Sequence, residues 1–220
     1  MRRSRLRRGF YARPTLEVAA DLIGKILIHD VPAGRTAGRI VEVEAYIGED
    51  DPACHAAPGP TNRNAPLYGP PGVAYVYLNY GIHYLTNIVT ESDGFPAAVL
   101  LRALEPLEGT PLMRRRRARG TSRAASAFDL NALCRGPGNL SKALGITLKQ
   151  NRLDVTRSAI GVEDWGLPVG ERVWSRRIGI RVGTDRVWRC YEVGSAAVSG
   201  TAPREIGTGD SPPVNGRGKK

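Results

Sequence analysis

Glu42 and Glu44 stand two residues apart in the run Arg39-Ile-Val-Glu-Val-Glu-Ala-Tyr46, a spacing suited to proton transfer at a sheet. Successive strand side chains point to opposite faces, so Val41, Val43 and Ala45 share one side while Glu42, Glu44 and Tyr46 share the other. Residues two apart on a strand lie roughly 7 Å from each other. Both carboxylates can then line one cleft, where mutual repulsion or burial tunes one of them into a base. Solvated glutamates on the wet face of an antiparallel sheet give the same alternation, and the run by itself chooses neither between these readings nor between the two carboxylates. Beyond it, Gly48 leads to Glu49, Asp50 and Asp51, which read as solvated loop acids, and then to Pro52-Ala-Cys-His55. This turn-rich loop can return a histidine over the strand end, and histidine beside glutamate invites acid–base or metal chemistry.

The elements that must hold these groups are legible around them. Pro14 to Ile23 reads as a short helix capped by Thr15 and ended by Gly24. Lys25 to His29 and Thr36 to Ala45 flank a Pro32-Ala-Gly34 turn and form an antiparallel hairpin, with His29 a surface strand residue. From His55 to Gly72 the chain is a long loop rich in Pro, Gly and Asn, a length that usually serves function. Val73 to Tyr80 then alternates, with Tyr75, Tyr77 and Asn79 on one face and Val76, Leu78 and Tyr80 on the other. Gly81, Ile82 and His83 make a tip, and Tyr84 to Thr90 returns. Tyrosines suit strands, but four within ten residues of a chain with 6% aromatics also suit base stacking and a wedge at a hairpin tip. Val99 to Leu104 is an apolar strand, and Thr110-Pro111 opens a helix bearing Arg114 to Arg117 and Arg119, part of which can touch phosphates. Thr121 to Phe128 is a connector. Gly136-Pro-Gly138 opens a helix through Lys142 and Leu144, whose free N–H groups suit an anion such as a DNA phosphate, while a simple helix start explains the run equally well.

The 220 residues, 41% of them hydrophobic, allow one soluble globular domain with tails. Lys and Arg outnumber Asp and Glu by 32 to 21, for a net charge of +11, which favours a polyanionic partner and points first to nucleic acid. Arginine supplies 27 of those 32 cations, so a compositional taste for arginine explains part of the bias without function. Cys54, Cys134 and Cys190 have no close pair and read as reduced thiols. No apolar run approaches the ~18 residues of a membrane span, and the basic start lacks a secretory apolar region; no membrane partner is expected, and a cytoplasmic location is, at the nucleoid if the source is bacterial.

Several stretches resemble one family together and in order. Glu42-x-Glu44-Ala45-Tyr46, His55, Thr61-x-Arg63-Asn64, Tyr75-Val-Tyr77-x-x-Tyr80-Gly81-x-x-Tyr84, Asn87, Leu100-Leu-Arg102-Ala-Leu-Glu-Pro106 and Gly136-Pro137 with Leu140 and Ala143-Leu144 are similar to the 3-methyladenine (alkyladenine) DNA glycosylases, over roughly residues 9 to 200. The resemblance implies a monofunctional enzyme that flips alkylated or deaminated purines of the 3-methyladenine, hypoxanthine and ethenoadenine class out of duplex DNA. It hydrolyses the N-glycosidic bond without a catalytic lysine, a metal or a cofactor. Glu44 falls on the general base, and Tyr46, His55 and Tyr77 on the rings that sandwich the flipped base. Asn87 falls on the residue that crowds the guanine amine, Arg102 on one that orders the pocket, and Tyr80 on the wedge. Arg63, Gly138 and Lys142 are the expected backbone contacts. Asn139 stands where a lysine is expected, and Ser195-Ala-Ala197 replaces a stiffer segment.

The resulting expectation is an α/β domain over residues 9–200, a curved and largely antiparallel sheet with surrounding helices and a protruding DNA-inserting hairpin. Ile178-Gly-Ile180 and Trp188 to Ser199 serve as closing strands. Residues 1–8 form a basic arm, residues 201–220 a disordered tail, and the chain acts as a monomer on double-stranded DNA containing damaged purines. Two other readings use fewer of these features. A binder of distorted nucleic acid has no need of Glu44, and a hydrolase of free nucleosides has no need of the wedge or the arginines.

Overall fold

The structure, a computed structural model, describes residues 3–200 and 207–208. In chain order the elements begin with β1 (Ser4–Arg5), α1 (Arg8–Tyr11), α2 (Thr15–Leu22), β2 (Ile26–Val31), β3 (Gly34–Ile47), β4 (Ala74–Asn79), β5 (His83–Val89) and β6 (Ala97–Glu108). There follow α3 (Thr110–Ala118), α4 (Pro137–Leu144), β7 (Ile160–Asp164), β8 (Arg172–Ser175), β9 (Arg189–Glu192) and β10 (Gly207–Thr208). All the strand pairs are antiparallel, and β3 is their hub. Rich in β-branched residues and free of proline, it runs for 14 residues, with β6 along one edge for almost its whole length. On the other edge β2 pairs with its first half and β9 with Glu42 to Glu44, so the sheet forks there. One branch runs through β2, β7 and β1, the other through β9, β8 and β10, and β5 and β4 extend the sheet beyond β6.

Where the fork opens, the regular alternation of the strand breaks. Ile40 pairs with Leu104 and Glu42 with Ala103, which leaves Val41 as an extra residue; Val43 then pairs with Leu101, which leaves Arg102 as an extra residue on β6. Such bulges re-aim side chains. Val43 and Ala45 join the main core with Val18 and Leu22 of α2, Met113 of α3 and Leu140 and Leu144 of α4, whereas Val41 packs separately with Ala103 and Ala197. A strict period of two therefore mis-assigns Val41. The solvated-face reading of the glutamates fails as well, because both Glu42 and Glu44 have 0% exposure.

Other expectations are corrected by packing. Thr15 does not cap α2 with its own side chain; its N–H and hydroxyl donate to Glu91 Oε1 at 2.6 and 2.8 Å, placing a carboxylate at the positive end of the helix. His29 is buried, with Nδ1 2.9 Å from the Leu144 carbonyl at the end of α4. Residues 178–180 form a loop rather than a strand. At the basic N terminus, Ser4–Arg5 pairs with β7 and Arg5 Nη1 donates to the Ser158 carbonyl at 2.6 Å, so that segment lies along the sheet edge. Most of the expected tail, 201–206 and 209–220, lies outside the described residues, and Gly207–Thr208 pairs with β8.

The fork is closed by charge. Glu42 Oε1 accepts from Arg102 Nε at 2.9 Å, Arg189 Nε at 2.7 Å and the Ser199 hydroxyl at 2.9 Å, while Oε2 accepts the Ser199 N–H at 2.7 Å. Burial pushes the Glu42 carboxyl upward, but Arg102 and Arg189 outweigh it and hold the group below its ordinary range. One carboxylate thus joins β3, β6, β9 and the segment at 199. Glu42→Gln keeps the shape and removes the charge, leaving Arg189 buried without a carboxylate partner. The expected cost is about 3–5 kcal/mol, a fall in Tm of roughly 6–20 °C for a chain of this size. Thermal unfolding followed by circular dichroism checks it; a change within about 2 °C contradicts the account.

Candidate active site

The aromatic residues converge because β4 alternates and the loop before it is pinned. Tyr75 and Tyr77 share a face, with ring centroids 5.3 Å apart. His55 reaches them from the loop, its ring 4.4 Å from that of Tyr77 and its Nδ1 2.8 Å from the Tyr75 hydroxyl. Asn64 is the pin. Its Nδ2 donates to the His55 and Gly59 carbonyls at 2.7 and 2.8 Å, and its Oδ1 accepts the Thr61 N–H at 2.6 Å. Tyr46 enters from the end of β3, and Asn87 of β5 donates to the Tyr75 carbonyl at 3.0 Å. Tyr46, His55, Tyr77, Asn87 and Arg102 line one cleft of 510 Å³, within the range of small-ligand sites.

Glu44 closes the cleft from behind. Its Oε1 accepts the Ile178 N–H at 2.7 Å, and its Oε2 accepts the Tyr46 hydroxyl at 2.9 Å and pairs with Arg102 Nη1 at 3.0 Å. Burial first, then the Glu44 charge, raise the Tyr46 phenol, and burial likewise raises Tyr77, so both phenols remain neutral. Burial lifts Tyr75 to about 12. The two hydrogen-bond donors to Glu44, Tyr46 and the Ile178 N–H, are next to Arg177, which sequence reasoning missed. Arg177 binds Asp51 in a fork at 2.5 and 2.8 Å, donates to the Ala45 carbonyl at 3.1 Å, and lies 4.6 Å from the Tyr46 ring. Asp51 is therefore a buried partner and not a solvated acid.

The remaining expected contacts divide. Tyr80 is 83% exposed at the mouth of the cleft. It and Gly81 both have positive φ, 47° and 71°, and the Ile82 N–H donates to the Asn79 carbonyl at 3.1 Å, the pattern of a primed hairpin turn. Gly138 also lines the mouth, and a Cβ there would come within 2.8 Å of the His83 ring; the helix start and the hairpin touch through this glycine. Arg63 lies outside the cleft, its guanidinium 5.7 Å from the Tyr77 ring. Lys142 is outside too, with Nζ donating to the Arg119 carbonyl at 2.8 Å.

This arrangement of neutral rings around a braced carboxylate agrees with what the whole chain matches. Residues 9–196 fit the family model described as methylpurine-DNA glycosylase (MPG). The chain belongs to the methylpurine-DNA glycosylase family. A protein of Methanocella arvoryzae, provisionally named 3-methyladenine DNA glycosylase, is 50% identical over 205 residues, covering 91% of this chain and 98% of its own length. Proteins carrying the same provisional name from Chlorobaculum tepidum and Clostridium acetobutylicum are 45% and 41% identical, with 90% and 89% of this chain and 92% and 97% of their own length covered. As a member of the family, this glycosylase is a hydrolase of N-glycosyl bonds with DNA as substrate. No helix among the described residues is long and apolar enough to cross a membrane. Of the groups the glycosylase assembles, Ile178, Arg189 and Ser199 act through backbone atoms or distant charge pairing, which no motif spacing announces. Asp51 and Arg177 are 126 positions apart; only the unusual density of acids before His55 hinted at a buried pair.

Burial, and after it the Arg63 guanidinium, hold the His55 imidazole below its ordinary value of 6.5. His29 is lowered by burial too. Proton NMR of the ring signals is expected to give both histidines midpoints below 6.5. Because the unfolded chain then takes up protons that the folded chain refuses, stability declines as pH falls below 6.5 and is insensitive to these groups above it. A midpoint for His55 above 6.5 contradicts its assigned environment.

Proposed function

We propose that this glycosylase extrudes alkylated or deaminated purines of the 3-methyladenine, hypoxanthine and ethenoadenine class from duplex DNA and excises them with a water activated by Glu44. The observation that carries the reading is the hydrogen-bond count at Glu44. An ionised carboxylate offers about four acceptor positions; the Ile178 N–H occupies one on Oε1 and the Tyr46 hydroxyl one on Oε2, against which Arg102 Nη1 also lies as an ion pair, and the second position on Oε1 is beside Ile178, a residue that lines the cleft. A water held there gives its proton to Glu44 as its oxygen bonds to the sugar C1′. The C1′–N bond breaks, and its electron pair leaves on the purine. Positive charge that builds on the sugar is stabilised by the carboxylate. None of the residues lining the cleft is a lysine, which favours water over an amine nucleophile and hence base release without strand cleavage.

Binding follows from the same walls. An electron-poor alkylated purine between Tyr46 and the His55–Tyr77 pair gains from their electron-rich faces, and a neutral His55 avoids repelling a cationic lesion. Tyr80, exposed on a turn beside the mouth, suits the gap that an extruded nucleotide leaves in the stack.

Two measurements test this. Glu44→Gln is expected to bind lesion duplex normally and to excise about 10²-fold or more slowly in single-turnover assays with alkali cleavage of abasic sites. A normal rate in that variant alongside a crippled, folded Glu42→Gln reassigns the base to Glu42. Tyr80→Ser is expected to suppress the fluorescence of 2-aminopurine placed beside the lesion in duplex DNA and to matter little for single strands, which have no stack to refill. Equal defects on both substrates would make Tyr80 part of the pocket wall.

A further inference from the structure

The Tyr46 ring has one face for the cleft and one for the protein, and the second is covered by a cation. Arg177 lies over the ring at 4.6 Å and, among the described residues, is not one of those that line the cleft, so its guanidinium stands behind the wall that Tyr46 presents. The edge of the fork is spent on the protein: Nη1 donates to Asp51 Oδ2 and the Ala45 carbonyl, and Nη2 to Asp51 Oδ1 and, at 3.2 Å, to the Gly183 carbonyl. Its faces are left to rings. Besides Tyr46 it lies 5.2 Å from the Trp188 ring, which Arg186 covers in turn at 4.4 Å. The side chains of Arg177 and Asp51 are both fully buried. Burial opposes the charge on Arg177, but Asp51, and after it Glu44, outweigh burial and keep the guanidinium protonated.

A pin between the loop at Asp51 and the strand end at Ala45 does not require ions. Two amides of similar size would hold much the same hydrogen bonds, and burying an ion pair costs desolvation that a neutral pair avoids. What the ions add is a fixed positive charge on the back of Tyr46. An aromatic ring attracts cations at either face through its quadrupole; a guanidinium already at one face draws π density towards itself and leaves the other less attractive to a second cation. A purine stacked at roughly 3.5–4 Å on the cleft face puts a positive lesion about 8 Å from a guanidinium that is itself 4.6 Å behind the ring. Asp51 offsets part of that field, from the edge of the fork. A neutral purine feels none of the repulsion between charges. Arg63 places another cation 5.7 Å from the Tyr77 ring, but it is exposed, and solvent and salt screen it.

We propose that Arg177 is a positioning residue that sets the charge preference of the pocket: from behind Tyr46 it weakens the hold on formally cationic purines, such as 3-methyladenine in DNA, and leaves the hold on neutral ones, such as hypoxanthine, intact. This rests on the stacking of the extruded base against Tyr46 proposed above, and it names a residue that discriminates among those lesions without touching them.

The test reads a ratio. Single-turnover excision at subsaturating enzyme is followed on one duplex sequence carrying 3-methyladenine or hypoxanthine, for wild type, Arg177→Lys and the double variant Asp51→Asn/Arg177→Gln, which removes both charges and keeps amides to bridge the gap. Incomplete folding lowers both rates alike and cancels. The double variant is expected to raise the ratio of 3-methyladenine to hypoxanthine excision by about 3–10-fold, the size of one cation–π contact, while Arg177→Lys, which retains the charge, stays within about 2-fold of wild type. Should excision be too slow to time, competition between the two duplexes for the same variants built on Glu44→Gln reads the ratio from binding alone. An unchanged ratio, a fall, or an equal rise in Arg177→Lys overturns the proposal and leaves Arg177 as a brace. Tyr46→Leu separates the two readings. If it excises both lesions normally, the stacking reading fails and this inference with it; if it is impaired on both while the double variant keeps the wild-type ratio, this inference alone fails.

Discussion

The pocket depends on a buried carboxylate that does not face it. Glu42 accepts four hydrogen bonds from two arginines and Ser199 at the point where β3 exchanges one neighbour for another. Arg102 shares one guanidinium between Glu42 and Glu44, so the geometry of Glu44 is referred through Arg102 to the fork of the sheet. Arg102, Arg177 and Arg189 face Glu42, Glu44 and Asp51, and all six are buried. Desolvating that many charges is costly, and the interior tolerates them as a balanced and hydrogen-bonded set. The set also explains the bulges. A regular ladder would alternate Arg102 strictly with its neighbours, whereas the paired bulges bring it beside Glu42 while Val43 and Ala45 stay in the core.

Much of the scaffold was legible in the sequence because local chemistry decides it. The Pro32-Ala33 turn folds β2 onto β3, the tyrosine-rich repeat gives β4, and Gly136-Pro137 opens α4. In each case the signal lies within a few residues of its effect. The bulge at Val41 was not legible, since its cause is a change of partner strand supplied by residues near 190. His29 was misread for a similar reason: a histidine in an alternating strand looks solvated until the end of α4 is laid over it.

The site divides along the same line. Tyr46, His55, Tyr77, Asn87, Arg102 and Tyr80, named from motif resemblance, do gather at one cleft, while Lys142 and Arg63 lie beside it. The residues that brace them, Asn64, Asp51, Arg177 and Ser199, act by hydrogen bonds whose partners sit on separate segments, and spacing along the chain carries no record of such meetings. Choosing Glu44 over Glu42 likewise required the resemblance. Their company differs: Glu42 accepts from Arg102, Arg189 and Ser199, and Glu44 accepts from Ile178 and Tyr46 with Arg102 alongside as an ion pair.

The turn at Tyr80 has a consequence for how the protein can change. A tyrosine with φ of 47° occupies a backbone region that costs an ordinary side chain about 1 kcal/mol or more and costs glycine almost nothing. With its ring 83% exposed, Tyr80 recovers little of that by burial in the free protein. Glycine or asparagine at position 80 would therefore make a more comfortable hairpin. Directed evolution toward heat resistance alone would be drawn to those residues, whereas the wedge role proposed above would hold the position at tyrosine under mutagen pressure, so that under that proposal the two regimes should diverge first at this one codon.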